Sequence, residues 1–502
     1  MSLSFNADNR GRRKASCKGE FSMTDTEYRK KVLGAWLGKA VGGTLGQAWE
    51  GCTGPLNLSY YDPVPTSMIP NDDLDLQVLW ACKLAQEWNG VVSRDLFAEA
   101  WPECIAFPYD EYGVAIRNIR RGIPAPFCGS YDNWFTDGLG AAIRSELWAC
   151  LAQGNPQLAA EFAGEDACVD HAGNGIYAEQ FLAALESQAF IESDLRKLIE
   201  TGLECIPADS SLARAIRDTI EWCKDGTPET VRAKIMKQYG SANFTDVKMN
   251  LPFMVMALLL GGGDFGKSIC LAANCGQDTD CTAATVGAVF GLINPELVDG
   301  EWLRPIGRSL VVSKEISGIH APATLDEFTD LVVALKDKVV LKQNPVLPFD
   351  LKPYAIPAKR SVFRPWFAAD YRKFRPALAA DAEEILLPGN LITVNFSDLP
   401  GESLLMLETE FHLTASHPVR LLVNTPANMQ VWVDGEFRFG RECGAMIPAF
   451  HRAPRNQLAE FEFKEGRHKL MIGLAPASPE MKNAELLFGV ADTRNHWIPD
   501  AF

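Results

Sequence analysis

The chain has 502 residues, 47% hydrophobic and 22% charged, with a formal net charge of −16. That length suits two domains better than one, and the balance is that of a folded soluble chain with no apolar run of the roughly 18–20 residues a membrane span needs. The acidity argues against nucleic-acid partners, because phosphate binding needs clustered Lys and Arg. It favours small or cationic partners, or a bound divalent metal. Thirteen cysteines, an odd number with no CxxC pair, indicate reduced thiols in a cytoplasmic protein rather than a disulfide framework.

In chain order, residues 1–23 are polar and basic without an apolar signal segment and are expected to form a disordered leader or an expression remnant. Residues 24–343 carry helical spacing. A capping-box pair, Thr24 and Glu27, opens "TDTEYRKKVLGAWLGKAVGGTLG", and "DLQVLWACKLAQEW", "DGLGAAIRSELWACLAQG" and "TLDEFTDLVVALKDKVV" repeat apolar residues at i, i+3 and i+4. This part reads as an all-α bundle. Prolines crowd residues 344–380, which predicts a linker without long regular elements. Over 381–502 the spacing changes to two, in "LITVNFSDL", "VRLLVN", "MQVWVDGEFRFG" and "AEFEFKEGRHKLMIGL", with Asp434-Gly435 and Glu465-Gly466 where hairpin turns would fall. An antiparallel β-sandwich, jelly-roll-like and accessory, is expected there. The fold class is therefore multidomain α + β.

Four stretches carry candidate chemistry. "GGGDFGKS", Gly261 to Ser268, fits the phosphate-loop expression, but the "FMVMALLL" before it favours helix and no βαβ pattern surrounds it, so a helix ended by glycines is the reading and an NTPase using Lys267 the lesser alternative. "PNDDLDLQVLW" places Asn71, Asp72 and Asp73 at a helix start, and "QDTDCTAATVGAVFGLI" does the same with Asp278 and Asp280. Helix capping explains one acidic start. Two starts, each opening a helix that should be buried, are costly unless the carboxylates are paired, and neither stretch has a Lys or Arg near enough in sequence; a hard divalent cation would resolve this. In "GAWLGKAVGGTLGQAWEG" small residues at spacing four allow close helix packing ahead of the lone Glu50.

Together these stretches resemble the ADP-ribosylglycohydrolase family. Its opening motif, roughly G-x-A-x-G-D-A-x-G-x-P-x-E, is echoed by Gly38, Ala40, Gly42, Gly46 and Glu50; its T-D-D motif by Asn71, Asp72 and Asp73; and its D-T-D-[TS] motif by Asp278, Thr279, Asp280 and Cys281. "DGLGAAIR", with Gly138 and Gly140, is similar to its G-N-G-A-A-M-R segment, and "CVDHAGNG", with His171, to its His-containing stretch. The resemblance implies an all-α orthogonal bundle with two Mg²⁺ or Mn²⁺ ions. It implies Asp72, Asp73, Asp278 and Asp280 as ligands, Asn71 offering a carbonyl oxygen, and Glu50 or Asp73 positioning the attacking water. Gly138, Gly140, His171 and the ring of Tyr131, Trp134 or Phe135 would hold substrate. Gly43, Leu139, Asn71 and Cys281 depart from the pattern. A Cys281 thiol is a poor donor to a hard cation, so the second metal is expected to be weaker or more Mn²⁺-like. The implied activity is metal-dependent hydrolysis of an ADP-ribosyl or related ribosyl N- or O-glycosidic bond on a small-molecule or protein substrate, with a non-catalytic ADP-ribose or nucleoside binder as the alternative. The β domain lies outside the resemblance and is expected to take carbohydrate.

Overall fold

The computed structural model describes residues 23–298, 300–342, 345–352, 354–363, 378–401, 403–452 and 458–502. The expected leader lies, but for Met23, outside the described residues. Fifteen α-helices occupy Asp25 to Leu335 among the described residues, accompanied by a two-residue parallel ladder pairing Val91–Val92 with Val340–Leu341. The first helix, Asp25–Gln47, starts at the expected capping box: Thr24 accepts from the Glu27 amide, and the Glu27 carboxylate accepts from the Thr24 amide. None of the helices is long and apolar enough to cross a membrane. All twelve described cysteines are free.

The opening helix runs antiparallel to Thr279–Ile293, and the two meet backbone to backbone. A Cβ on Gly34 would stand 2.3 Å from the Gly291 carbonyl oxygen, one on Gly38 2.0 Å from that of Gly287, one on Gly42 2.1 Å from that of Ala283, and one on Gly46 2.3 Å from the Asp280 amide nitrogen. The expected small-residue stripe is thus a contact without side chains. The same hydrophobic core holds Trp36, Trp80, Trp101 and Trp148, all fully buried.

The C-terminal part is two antiparallel sheets. One orders Leu458–Phe463, His417–Asn424, Asn483–Ala491 and Leu391–Asn395; the other orders Glu383–Leu387, Ile356–Phe363, Leu404–Leu413, Gly466–Ala475, Asn428–Val433 and Glu436–Arg441. Their inner faces share a core that includes Leu421, Val423, Val431 and Ile472. Asp434-Gly435, both at positive φ, make the expected hairpin turn. Two expectations are corrected. Glu465-Gly466 carries the chain from one sheet to the other, since Leu458–Phe463 pairs with His417–Asn424 while Gly466–Ala475 pairs with Leu404–Leu413. The proline-rich stretch yields a full strand, Ile356–Phe363, because Pro357 stands near its first residue, where a missing N–H costs little and its carbonyl still accepts from Thr409 Oγ1 at 2.9 Å.

Gly38→Ala is expected to lower stability by at least ~2 kcal/mol, because its new methyl meets backbone that cannot yield as a side chain would. Chemical unfolding of the two proteins measures it; equal midpoints would refute the close contact.

Candidate metal centre and cavity

The close helix pair brings the two acidic helix starts together. The Gly46 carbonyl accepts from Thr279 Oγ1 at 2.7 Å, which seats the start of Thr279–Ile293 against the end of the opening helix. Asn71 caps Asp72–Gln86, its Oδ1 accepting from the Asp73 amide at 2.8 Å, while its Nδ2 donates to Asp280 Oδ2 at 3.0 Å. Asn71 therefore caps the helix with one lone pair of its oxygen and orients Asp280. Asp278 stands at the cap position of its own helix but makes no capping bond, so capping does not account for it.

Asp73, Asp278 and Asp280 are 1%, 2% and 3% exposed. Both carboxylate oxygens of Asp73, and Oδ1 of Asp278 and of Asp280, are buried without a hydrogen-bond partner. Asp73, Asp280 and Cys281 each place a donor atom within 4.8 Å of the others. The sequence expectation of unpaired acids is corrected at one point: Lys39, from the opening helix, reaches Asp73 Oδ1 at 3.5 Å while donating to Glu146 Oε1 at 2.8 Å. Even so, burial raises Asp73 well above the usual carboxylate range, Lys39 opposing it and Asp280 adding to the rise. Burial and Asp280 push Asp72 up to about 7. The same two causes raise Asp278, and burial raises Asp280 against the pull of the Asn71 amide. Glu50, at the rim, is pushed up to about 9 by Asp280, with burial, Asp72 and Asp73 adding to it. Unpartnered buried oxygens that repel one another are what a hard divalent cation relieves, so the donor set fits one. The Cys281 thiol is held protonated by burial and its acidic neighbours.

These groups form the floor of a cavity of about 1060 Å³. Glu50, Asn71, Asp72, Asp278, Asp280, Cys281 and Gly140 line it, as do Trp134 and Phe135, whereas Asp73 lies beneath. Gly138 and His171 sit one layer behind, joined to the lining through Glu111, which the sequence reading missed. Gly140 N–H donates to Glu111 Oε1 at 3.1 Å, and His171 Nε2 is 3.3 Å from the same oxygen. On its other side His171 Nδ1 is 3.0 Å from Asp170, which in turn receives Arg144. Tyr131 is not brought to the cavity: its Oη donates to the Lys352 carbonyl at 2.9 Å and its ring packs on Tyr354.

The opposite wall belongs to the β domain. Leu391, Met446, Ile447, Pro448, His451 and Arg452 line the cavity, and Arg452 pairs with Asp110. Around it the domains interlock: buried Arg117 donates to Asn390 Oδ1 at 3.1 Å, Trp134 Nε1 to the Pro448 carbonyl at 3.0 Å, and His496 Nε2 lies 2.8 Å from the Ala106 carbonyl. No local sequence signal marks Arg452 or Glu111; each is identified only by its distant partner. The glycine run Gly261–Gly263 ends the helix Val247–Leu260, and Asp264 caps Phe265–Asn274 by accepting from the Lys267 amide. With a helix before the loop, the NTPase alternative lacks its strand.

The helical domain thus offers buried, unpartnered carboxylates from two helix starts to a deep cavity. The model of the ADP-ribosylglycohydrolase family matches residues 24–335, and the chain belongs to that family. Membership supports a glycohydrolase-like function, and the family is typically metal-dependent. Among solved structures, an ADP-ribosylglycohydrolase-related protein complex is 21% identical over 63% of this chain and 100% of that chain, with a TM-score of 0.44. A Kluyveromyces marxianus β-glucosidase in complex with glucose is 6% identical over 28% of this chain and 16% of that chain, at TM-score 0.19, and a Xanthomonas citri α-xylosidase 11% identical over 28% and 17%, at 0.14. No curated protein matches.

Two outcomes test the site. Asp280→Asn should lose metal content by elemental analysis while keeping its helical circular dichroism; unchanged content would remove it from the ligand set. Burial opposes charge on His171, but Asp170 and Glu111 push it up to about 9. A raised pKa stabilises the fold fully below the ordinary value near 6.5 and loses that contribution as pH climbs through the folded value. The stability advantage over His171→Gln, on the order of 2 kcal/mol, should therefore shrink between pH 6.5 and 9 in urea titrations.

Proposed function

We propose that the protein is a metal-dependent hydrolase of a ribosyl N- or O-glycosidic bond, ADP-ribosyl or related. The observation that carries this reading is the set of buried carboxylate oxygens without partners on the floor of a glycoside-sized cavity. Asp72, Asp73, Asp278 and Asp280 would hold Mg²⁺ or Mn²⁺, two ions being what the resemblance to the family's motifs implies. Such ions lower the pKa of a bound water and grip a sugar diol. Asn71 fixes Asp280 through its amide, and its carbonyl oxygen, which accepts one hydrogen bond from the Asp73 amide, keeps a second lone pair for a cation.

Between the two candidate bases, Glu50 fits and Asp73 does not: Glu50 lines the cavity, and Asp73 lies under it against Lys39. The like charges that raise Glu50 are those a cation offsets, which returns the carboxylate to a form able to take a proton from water at its Oε as the anomeric bond breaks. Trp134 and Phe135 offer aromatic faces to the leaving group.

The test is a screen of ADP-ribosylated protein, O-acetyl-ADP-ribose and simple nucleosides for released sugar. Release that requires Mg²⁺ or Mn²⁺ and falls by about a hundredfold or more in Glu50→Gln, the scale of a lost general base, is expected. Metal-dependent binding of these compounds without release would favour the non-catalytic alternative.

A further inference from the structure

Outside the carboxylates that would balance a cation, the charges of the cavity bear on which glycosides it admits. Beyond the candidate ligands and Glu50, its described lining holds Asp75, Asp110, Glu111 and Glu485 against two basic side chains, His451 and Arg452. His451 is held toward its neutral form, first by burial and then by Arg452, against Asp110. Arg452 is committed to Asp110 and lies over the Phe244 ring at 4.7 Å and the Phe135 ring at 5.9 Å.

The glycine loop is committed as well. The Gly140 N–H, one of the loop's amides, is given to Glu111, and Gly138 N–H to the Phe135 carbonyl. A Cβ on Gly138 would stand 2.7 Å from Glu111 Oε2, so this carboxylate packs flat on the loop. Oε2 itself is buried without a partner. The Glu111 carboxylate thus already takes the Gly140 amide, and His171, its other neighbour, is shared with Asp170.

A diphosphate brings two further negative charges and needs donors not already matched by acids. The rest of the wall offers apolar Trp134, Phe135 and Phe244 beside neutral Gln47, Ser241 and Asn243. Resting on the glycoside-hydrolase reading above, we infer that this cavity selects a ribosyl glycoside without a phosphate group, uncharged or cationic, with Glu111 and the Asp110–Arg452 pair excluding the diphosphate form. The β domain, through Arg452 and the stretch from Met446 to Pro448, sets that choice.

Equilibrium dialysis of the full chain in Mg²⁺ with adenosine and with ADP-ribose as probes tests it. Adenosine should bind at least tenfold tighter. Glu111→Gln, which keeps the shape and removes the charge, and Asp110→Asn, which releases Arg452, should each tighten ADP-ribose at least fivefold and leave adenosine within twofold. Raising ionic strength should narrow the wild-type gap, a readout that stands if either variant fails to fold. Equal or tighter binding of ADP-ribose, a ratio unmoved by salt and by both variants, or binding of neither probe overturns the inference. Failure to cleave any glycoside would sink the hydrolase reading and still leave this ratio measurable.

Discussion

Contact between the backbones of Asp25–Gln47 and Thr279–Ile293 governs how near the two ends of the family domain come. Four positions on one helix carry no side chain, and on the other side Gly291, Gly287 and Ala283 answer three of them. Each glycine within a helix costs up to about 1 kcal/mol in conformational entropy. The return is proximity. With no side chains between the helices, the carbonyl of Gly46 touches the hydroxyl of Thr279, and the turn that follows delivers Glu50 beside Asp278 and Asp280.

Proximity of that kind concentrates charge. Asp73 has Lys39, Asp280 has the Asn71 amide, and Asp72 has the Tyr112 hydroxyl at 3.4 Å. One partner apiece is too little for buried carboxylates, and burial, with mutual repulsion adding to it at Asp72 and Asp73, raises them above the usual carboxylate range. In most cores such a cluster would be replaced by apolar side chains at a gain in stability. Here the electrostatic strain extends behind the cavity floor, where Asp166, Asp170 and Glu179 gather around the single Arg144 guanidinium and burial raises Asp166 and Glu179.

What was legible in the sequence was local. The glycine spacing, the capping box, the two acidic helix starts and the Asp434-Gly435 turn each depend on residues a few positions apart, and period alone separates helices from strands. Lys39, Glu111 and Arg452 were not legible, because a side chain's partner across the fold leaves no mark on its neighbours in the chain. Pro357 and Glu465-Gly466 were misread for a related reason: strand position and sheet membership decide what a proline or a turn-like dipeptide does. Tyr131 had the right chemistry and the wrong address.

The shared wall of the cavity has a consequence for the order of assembly. Met446 follows Asp280 by 166 residues, so during synthesis the carboxylate cluster is complete long before the strands that roof it exist. Docking of the sandwich, sealed by Arg117 against Asn390 and by Arg452 against Asp110, then adds the opposite wall of the cavity. The second domain thereby contributes its wall last, to acids that precede it in the chain.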